Sequence, residues 1–316
     1  MSIIPIMMHT SVLGIKHHKL PASVADFGAT VFKSSAQLQN VLDHVVRDPV
    51  VMYHYGGGDG SAHTYHIWHM AHDKNWAFGM SDRFVEVCAN YSRSCQTNLQ
   101  VPSALYFEIG ANIGIATVHA AKMFPTLRTI SVEASPINAL LHKMNLAENG
   151  LSDANHTTIY AAMQTSSNDM PLSFLDCGAV MARESKVVSR GSSELSERHA
   201  NCTRTSVPTI TLSAVLVAYG LKRIHLMRQD CEGCEMSTLP AWRSSKLLMQ
   251  IDYYTGEFHP ALSGSEAEVR AARNVLCSGN SHTRFMGFGA MCAQNPPPPL
   301  PPSPPPPSPP PWWWLG

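Results

Sequence analysis

The chain of 316 residues carries no net charge, with 23 Lys and Arg against 23 Asp and Glu. A protein without excess charge of either sign lacks the electrostatic footprint of a nucleic-acid or membrane-surface partner. No apolar run is long enough to cross a bilayer, so no integral membrane segment is expected. The first twenty residues, MSIIPIMMHTSVLGIKHHKL, have a modest apolar run with no basic start ahead of it, which makes a poor signal peptide. Eight cysteines are too few at this length for a disulfide scaffold, and a reduced, cytoplasmic setting is the default expectation. Asn90, Asn155 and Asn201 nevertheless open N-x-S/T sequons, which would matter in the secretory lumen.

At 44% hydrophobic the chain has material for a sizeable core. Its organising stretch is LYFEIGANIGIATVHAAKMF, from Leu105 to Phe124. Leu105 to Ile109 has the length and composition of a buried strand, and the residues after Gly114 have helical periodicity. Between them Gly110 and Gly114 lie in a turn, where a missing side chain permits unusual backbone angles and close approach of a ligand. The following helix directs its unpaired amides and positive dipole end at that turn. A nicotinamide site wants G-x-G-x-x-G, but Asn112 holds the second glycine position and Ile115 the third.

Thr129 to Ala134 predicts a second strand ending at Glu133, followed by Ser135-Pro136 as cap and first-turn proline of the next helix. In doubly wound folds an acidic side chain at this strand end accepts hydrogen bonds from ribose hydroxyls. A further strand near Leu226 ends in LMRQDCEGCE, with Asp230, Glu232, Gly233 and Glu235 in close succession. Cys231 and Cys234 form a lone CxxC, read as packing residues because no second pair follows and acidic neighbours oppose a thiolate.

These motifs resemble those of the FkbM family of S-adenosylmethionine (SAM) methyltransferases. EIGANIG is close to the family's DIGANIG; HKMNLAENGL matches its NLxxNGL through Asn145, Asn149 and Gly150; LMRQDCEGCE matches its LLKxDxEGxE, with Arg228 in place of lysine. The resemblance covers about Leu105 to Tyr254. It implies a Rossmann-like, doubly wound, mostly parallel α/β sheet that binds SAM through Glu108, Gly110, Asn112, Gly114 and Glu133. Asp230, with Glu232 second, would accept the proton of a hydroxyl acceptor or orient it. The implied reaction is O-methylation of a small molecule, sugar or lipid. Two departures stand out: Ser213 replaces an acidic residue, and Tyr254 stands where relatives end a strand in histidine, with His259 a little further on. A catalytically weak or inactive SAM-binding relative is the alternative.

The methyltransferase domain is expected over 100–293. Ahead of it, 1–99 forms a partly helical extension. There Ser34 to Asp48 predicts a helix closed by Pro49, and Arg83 to Tyr91 a lead-in element. His63, His66, His69 and His72 recur every three residues, a step that spreads them around a helix and alternates them on a strand, so no metal site is expected there. Thr157 to Ala162 predicts a third strand, 164–206 an irregular polar insertion, and Val207 to Leu221 a short strand and helix. Lys246 to Tyr254 predicts a fifth strand, Glu266 to Cys277 a helix, and Arg284 to Ala293 one more strand. Little room remains for a sixth and seventh strand before Pro296. The tail, 294–316, is nearly all proline, extended and outside the core, and of a kind that SH3 or WW modules bind; an interaction protein acting through it is a further alternative.

Overall fold

The computed structural model describes residues 20–53, 62–71, 93–151, 153–166, 172–176, 186–188, 203–256, 270–271, 274–276 and 284–286. Two short helices open it, α1 (Ala22–Val31) and α2 (Ser35–Leu42). Ser34 caps α2 by accepting the Gln37 N–H at 3.2 Å. The helix expected to reach Asp48 stops at Leu42. Residues Val45–Tyr53 form a strand, β1, that runs straight through Pro49 and pairs antiparallel with β2 (Ala62–Met70). VVRDPVVMY is rich in β-branched residues, and a strand with a single partner tolerates a proline that cannot donate on its outer side. The extension is therefore two helices and a hairpin. His66 and His69, three apart on β2, fall on opposite faces; His69 is buried and bonded to Asp48 at 2.9 Å. His72 and the element expected at Arg83 to Tyr91 lie outside the described residues.

After α3 (Arg93–Gln100) the chain alternates strand and helix. It runs through β3 (Leu105–Ile109), α4 (Ile115–Met123), β4 (Arg128–Glu133), α5 (Pro136–Glu148) and β5 (His156–Tyr160). The third strand thus ends two residues early, and β6 (Ala162–Gln164) leaves to pair with β10 (Thr209–Thr211). Within 164–206, read as irregular, three short strands form an antiparallel sheet: β7 (Leu172–Asp176) pairs on either side with β8 (Lys186–Val188) and β9 (Thr203–Val207). Polar composition and lengths of three to five residues conceal such strands from periodicity.

The chain continues through α6 (Leu212–Ala218), β11 (Ile224–Gln229), α7 (Glu235–Ser244), a 3₁₀ turn at Leu247–Gln250, β12 (Ile251–Gly256) and β13 (Arg284–Met286). The fifth strand starts later than expected because Lys246 adopts φ 63° and tips the next four residues into that turn. Within the helix expected over Glu266 to Cys277, residues 270–271 and 274–276 are helical. The proline tail lies outside the described residues. Among those described, no helix is long and apolar enough to cross a membrane.

The main sheet is six-stranded and wholly parallel, in the order β13-β12-β11-β3-β4-β5. The chain winds outward from β3 to β5, crosses back to β11 and winds outward again, the Rossmann-like doubly wound arrangement. Phe107 and Ile109 of β3 join Leu239 and Trp242 of α7 on one face; Tyr106 joins Ala120 of α4 on the other. The hairpin packs on the far side of α5, through Tyr65 and Ile67 against Leu140, Leu141 and Met144. The order reverses between β3 and β11, so a crevice opens at their carboxyl ends.

Candidate functional site

The two signature turns meet at that reversal. Gly110 has φ 77°, and its N–H donates to the Val132 carbonyl at 2.9 Å. A β-carbon there would overlap the Asp230 carbonyl oxygen, so glycine lets the two turns lie backbone to backbone. The Asp230 N–H in turn donates to the Ile109 carbonyl at 2.9 Å. Asn112, at φ 51°, accepts the Ile113 N–H with its own side chain at 2.9 Å and donates its backbone N–H to Glu133 at 2.7 Å. The other Glu133 oxygen accepts the Ser135 N–H at 2.8 Å. Glu133 therefore clamps the glycine turn to the start of α5, and it lines the crevice while only 7% exposed.

Asn112, Glu133, Asp230 and Glu232 share the crevice wall with Ala111, Ile115, Ala134, Asn138, Ala162, Met163 and Phe174. Two residues expected there have other roles. Gly114, at φ 85°, is the N-cap of α4, and a β-carbon on it would stand 2.5 Å from the His142 ring; its bare α-carbon accommodates a buried histidine. Glu108 is fully buried in the sheet beneath the crevice, bonded to Thr117 and to Arg228. Neither is among the residues that line the opening.

The loop after β11 is tightly held. Glu235, fully buried at the start of α7, accepts the N–H groups of Cys231 and Gly233, both at 2.8 Å. Glu232 between them has φ 55°, a left-handed backbone unusual for glutamate. Cys231 and Cys234 pack half-buried against the core, as read from the sequence, but they are joined as a disulfide rather than reduced. Three residues apart in a turn, with α-carbons at 5.5 Å, they lie within bridging distance.

Beneath this surface runs a buried polar chain that the sequence did not disclose. Arg228 donates from Nη1 to Glu108 at 2.8 Å and from Nη2 to Asp230 at 2.9 Å. Thr117 donates to Glu108 and meets Ser131 at 2.9 Å. His142 bridges Thr117 at 3.1 Å and Thr158 at 2.8 Å. Burial raises the Glu108 carboxyl above its ordinary range, opposed by the adjacent Arg228. Burial, with Lys143 and His156 nearby, pushes His142 down to about 3, so its ring is neutral.

Tyr254, at the family's histidine position, is fully buried and donates to Gln229 at 2.9 Å, away from the opening. Asp252 lies near the amino end of β12, paired with Arg223 at 2.7 Å. Ser213 sits in the first turn of α6, where its hydroxyl meets Thr211 at 3.0 Å. His259 lies outside the described residues. Arg228 was visible only as a lysine replacement, while Asn138 and His142 carried no signal beyond their place in a helix.

Residues 108–282 match the family model described as the methyltransferase FkbM domain. The chain is 26% identical over 169 residues to the methyltransferase sdnD of Sordaria araneosa, an overlap of 47% of this chain and 64% of that relative. It thus spans just under two thirds of the relative's length. Among solved structures it is similar to the mitomycin 7-O-methyltransferase MmcR at 20% identity and a TM-score of 0.18, over 27% of this chain and 28% of that one, an overlap too small to support an argument. The family model covers more than half of the chain, and the chain belongs to the FkbM methyltransferase family.

Proposed function

We propose that the crevice binds SAM and that the chain transfers its methyl group to a hydroxyl of a small molecule, such as a sugar or lipid. The observation that carries this reading is the charge of the wall: Glu133, Asp230 and Glu232 face the opening with Arg228, whose guanidinium is already shared with Glu108 and Asp230. Such a wall suits a ligand bearing sulfonium and ammonium charges and opposes an anionic pyrophosphate. When bound, SAM supplies a methyl group activated by its sulfonium. The protein's part is to align the acceptor and receive its proton. Asp230, fixed by Arg228 at the mouth, would receive the proton of the acceptor hydroxyl. Glu232, on the same loop, is the second candidate to orient the acceptor.

Titrating the purified chain with SAM and, separately, NADH tests this. SAM should bind and NADH should not, and Glu133→Ala should weaken SAM at least tenfold because the glycine turn loses its clamp. A folded protein that ignores SAM would end the proposal. A SAM-binding relative without turnover is the second reading, favoured by Tyr254 standing buried at the family's histidine position. SAM binding with no methyl transfer to any hydroxylated acceptor would select it.

A further inference from the structure

Asn138 lies in the first turn of α5, behind the Ser135 cap, and lines the crevice while only 3% exposed. Its backbone N–H is directed at the Ser135 hydroxyl at 3.4 Å, yet its side-chain Oδ1 has no hydrogen-bond partner in the protein. A buried amide oxygen left without a donor is uncommon, because the bond it forgoes is costly. The wall also carries apolar side chains, Ala134 four residues before Asn138 and Ala162, Met163 and Phe174 from the neighbouring strands. An apolar slot with one unsatisfied carboxamide suits a flat heterocycle that carries a hydrogen-bond donor on its edge.

Resting on the SAM reading above, we infer that Asn138 reads the adenine edge of the ligand. The Asn138 oxygen accepts from the exocyclic amine while Nδ2 donates to the adjacent ring nitrogen, the paired geometry by which asparagine recognises adenine elsewhere. The torsion that turns the amide is soft, so the edge can be presented without moving the helix. Asn138 is then a specificity residue. A site built to bond a particular group discriminates strongly against an analogue that lacks it.

The test compares S-adenosylhomocysteine with its 6-deamino analogue, in which hydrogen replaces the exocyclic amine, by calorimetry on the full chain. The wild type should bind the amine-bearing ligand about tenfold more tightly, the effect of one good hydrogen bond. Asn138→Leu, similar in volume, removes the ring-nitrogen bond from both ligands and the amine bond from S-adenosylhomocysteine alone, so it should cost S-adenosylhomocysteine about tenfold more than the analogue and discrimination should collapse. Asn138→Asp, which keeps the acceptor, should retain a preference for the amine. Equal binding of the two ligands by the wild type overturns the inference without any variant having to fold. So does an Asn138→Leu protein that still discriminates. Wild-type protein that binds SAM but not selectively removes this inference alone, whereas protein that binds neither SAM nor S-adenosylhomocysteine removes it together with the functional reading.

Discussion

Glu108 and Asp230, at the ends of two adjacent strands, share one guanidinium: Arg228 bonds the first at 2.8 Å through Nη1 and the second at 2.9 Å through Nη2. Glu108 has no exposed side-chain surface and Arg228 only 9%. Removing one partner of such a pair strands a buried charge, at a cost of about 3–5 kcal/mol. Arg228→Met should lower unfolding stability in urea by about that much, and Glu108→Gln in the same chain should restore part of it. Arg228→Lys should fall between wild type and methionine, because one ammonium cannot span both carboxylates in the planar geometry of arginine. An Arg228→Met protein as stable as wild type would show that the pair is energetically idle.

Asp230→Asn separates catalysis from binding. The amide keeps the shape of the carboxylate and an oxygen that can accept from Arg228 but cannot take a proton. Turnover should fall by about 100-fold or more, the usual contribution of a positioned base, while SAM affinity stays within about threefold. Single-turnover methyl transfer beside a calorimetric titration reads both quantities. Equal turnover in the variant removes Asp230 from the chemistry.

His142 makes acid stability a second readout of the buried chain. Its pKa is lowered from 6.5 to about 3, so the unfolded chain takes up a proton that the folded chain refuses. The stability it contributes is complete above about pH 6.5 and is lost as pH falls toward 3, at up to about 1.4 kcal/mol per pH unit. Glu108, raised by burial, acts in the opposite sense: its contribution is complete below the ordinary carboxylate range and is lost as pH rises through its folded value. The difference between wild type and His142→Gln isolates the histidine. Glutamine can still bond Thr117 and Thr158 without charging, so its stability should decline less between pH 6.5 and 4 in urea melts. Parallel pH profiles would refute the assignment.

What the sequence disclosed follows from which signals are local. The strand at Leu105, the turn angles at Gly110 and Gly114 and the Ser135 cap depend on adjacent residues, and the structure has each of them. The Rossmann-like order followed from two motifs whose meaning is shared across a family. The partners of Glu108 and Gly114 were illegible because they come from 120 and 28 residues away, through Arg228 and His142. The hairpin was hidden by Pro49, which reads as a helix stop and is tolerated only because β1 has one neighbour.

The least expected consequence of the family pattern concerns Asn145, in the last turn of α5, and Asn149, which caps the C-terminus of that helix. Asn145 accepts the Trp68 N–H at 2.6 Å and donates to the carbonyls of Trp68 at 3.1 Å and Ile113 at 2.7 Å. Asn149 accepts the His66 N–H at 3.3 Å and donates to the His66 carbonyl at 2.8 Å. The two carboxamides thus satisfy alternate backbone groups along β2, doing for that strand what a third strand would do. Because Asn145 also holds the Ile113 carbonyl, the hairpin is tied directly to the glycine turn. Asn145→Ala removes three hydrogen bonds to buried backbone groups and Asn149→Ala two to β2, so at about 0.5–1.5 kcal/mol for each bond the first should cost more. Hydrogen exchange should locate the damage: the Trp68 amide should lose protection in Asn145→Ala and the His66 amide in Asn149→Ala, each with the other largely retained. SAM affinity should weaken in Asn145→Ala alone, since only that side chain reaches the turn. If both variants leave exchange and binding unchanged, the hairpin is held by its apolar face against Leu140, Leu141 and Met144, and the asparagines are incidental to its docking.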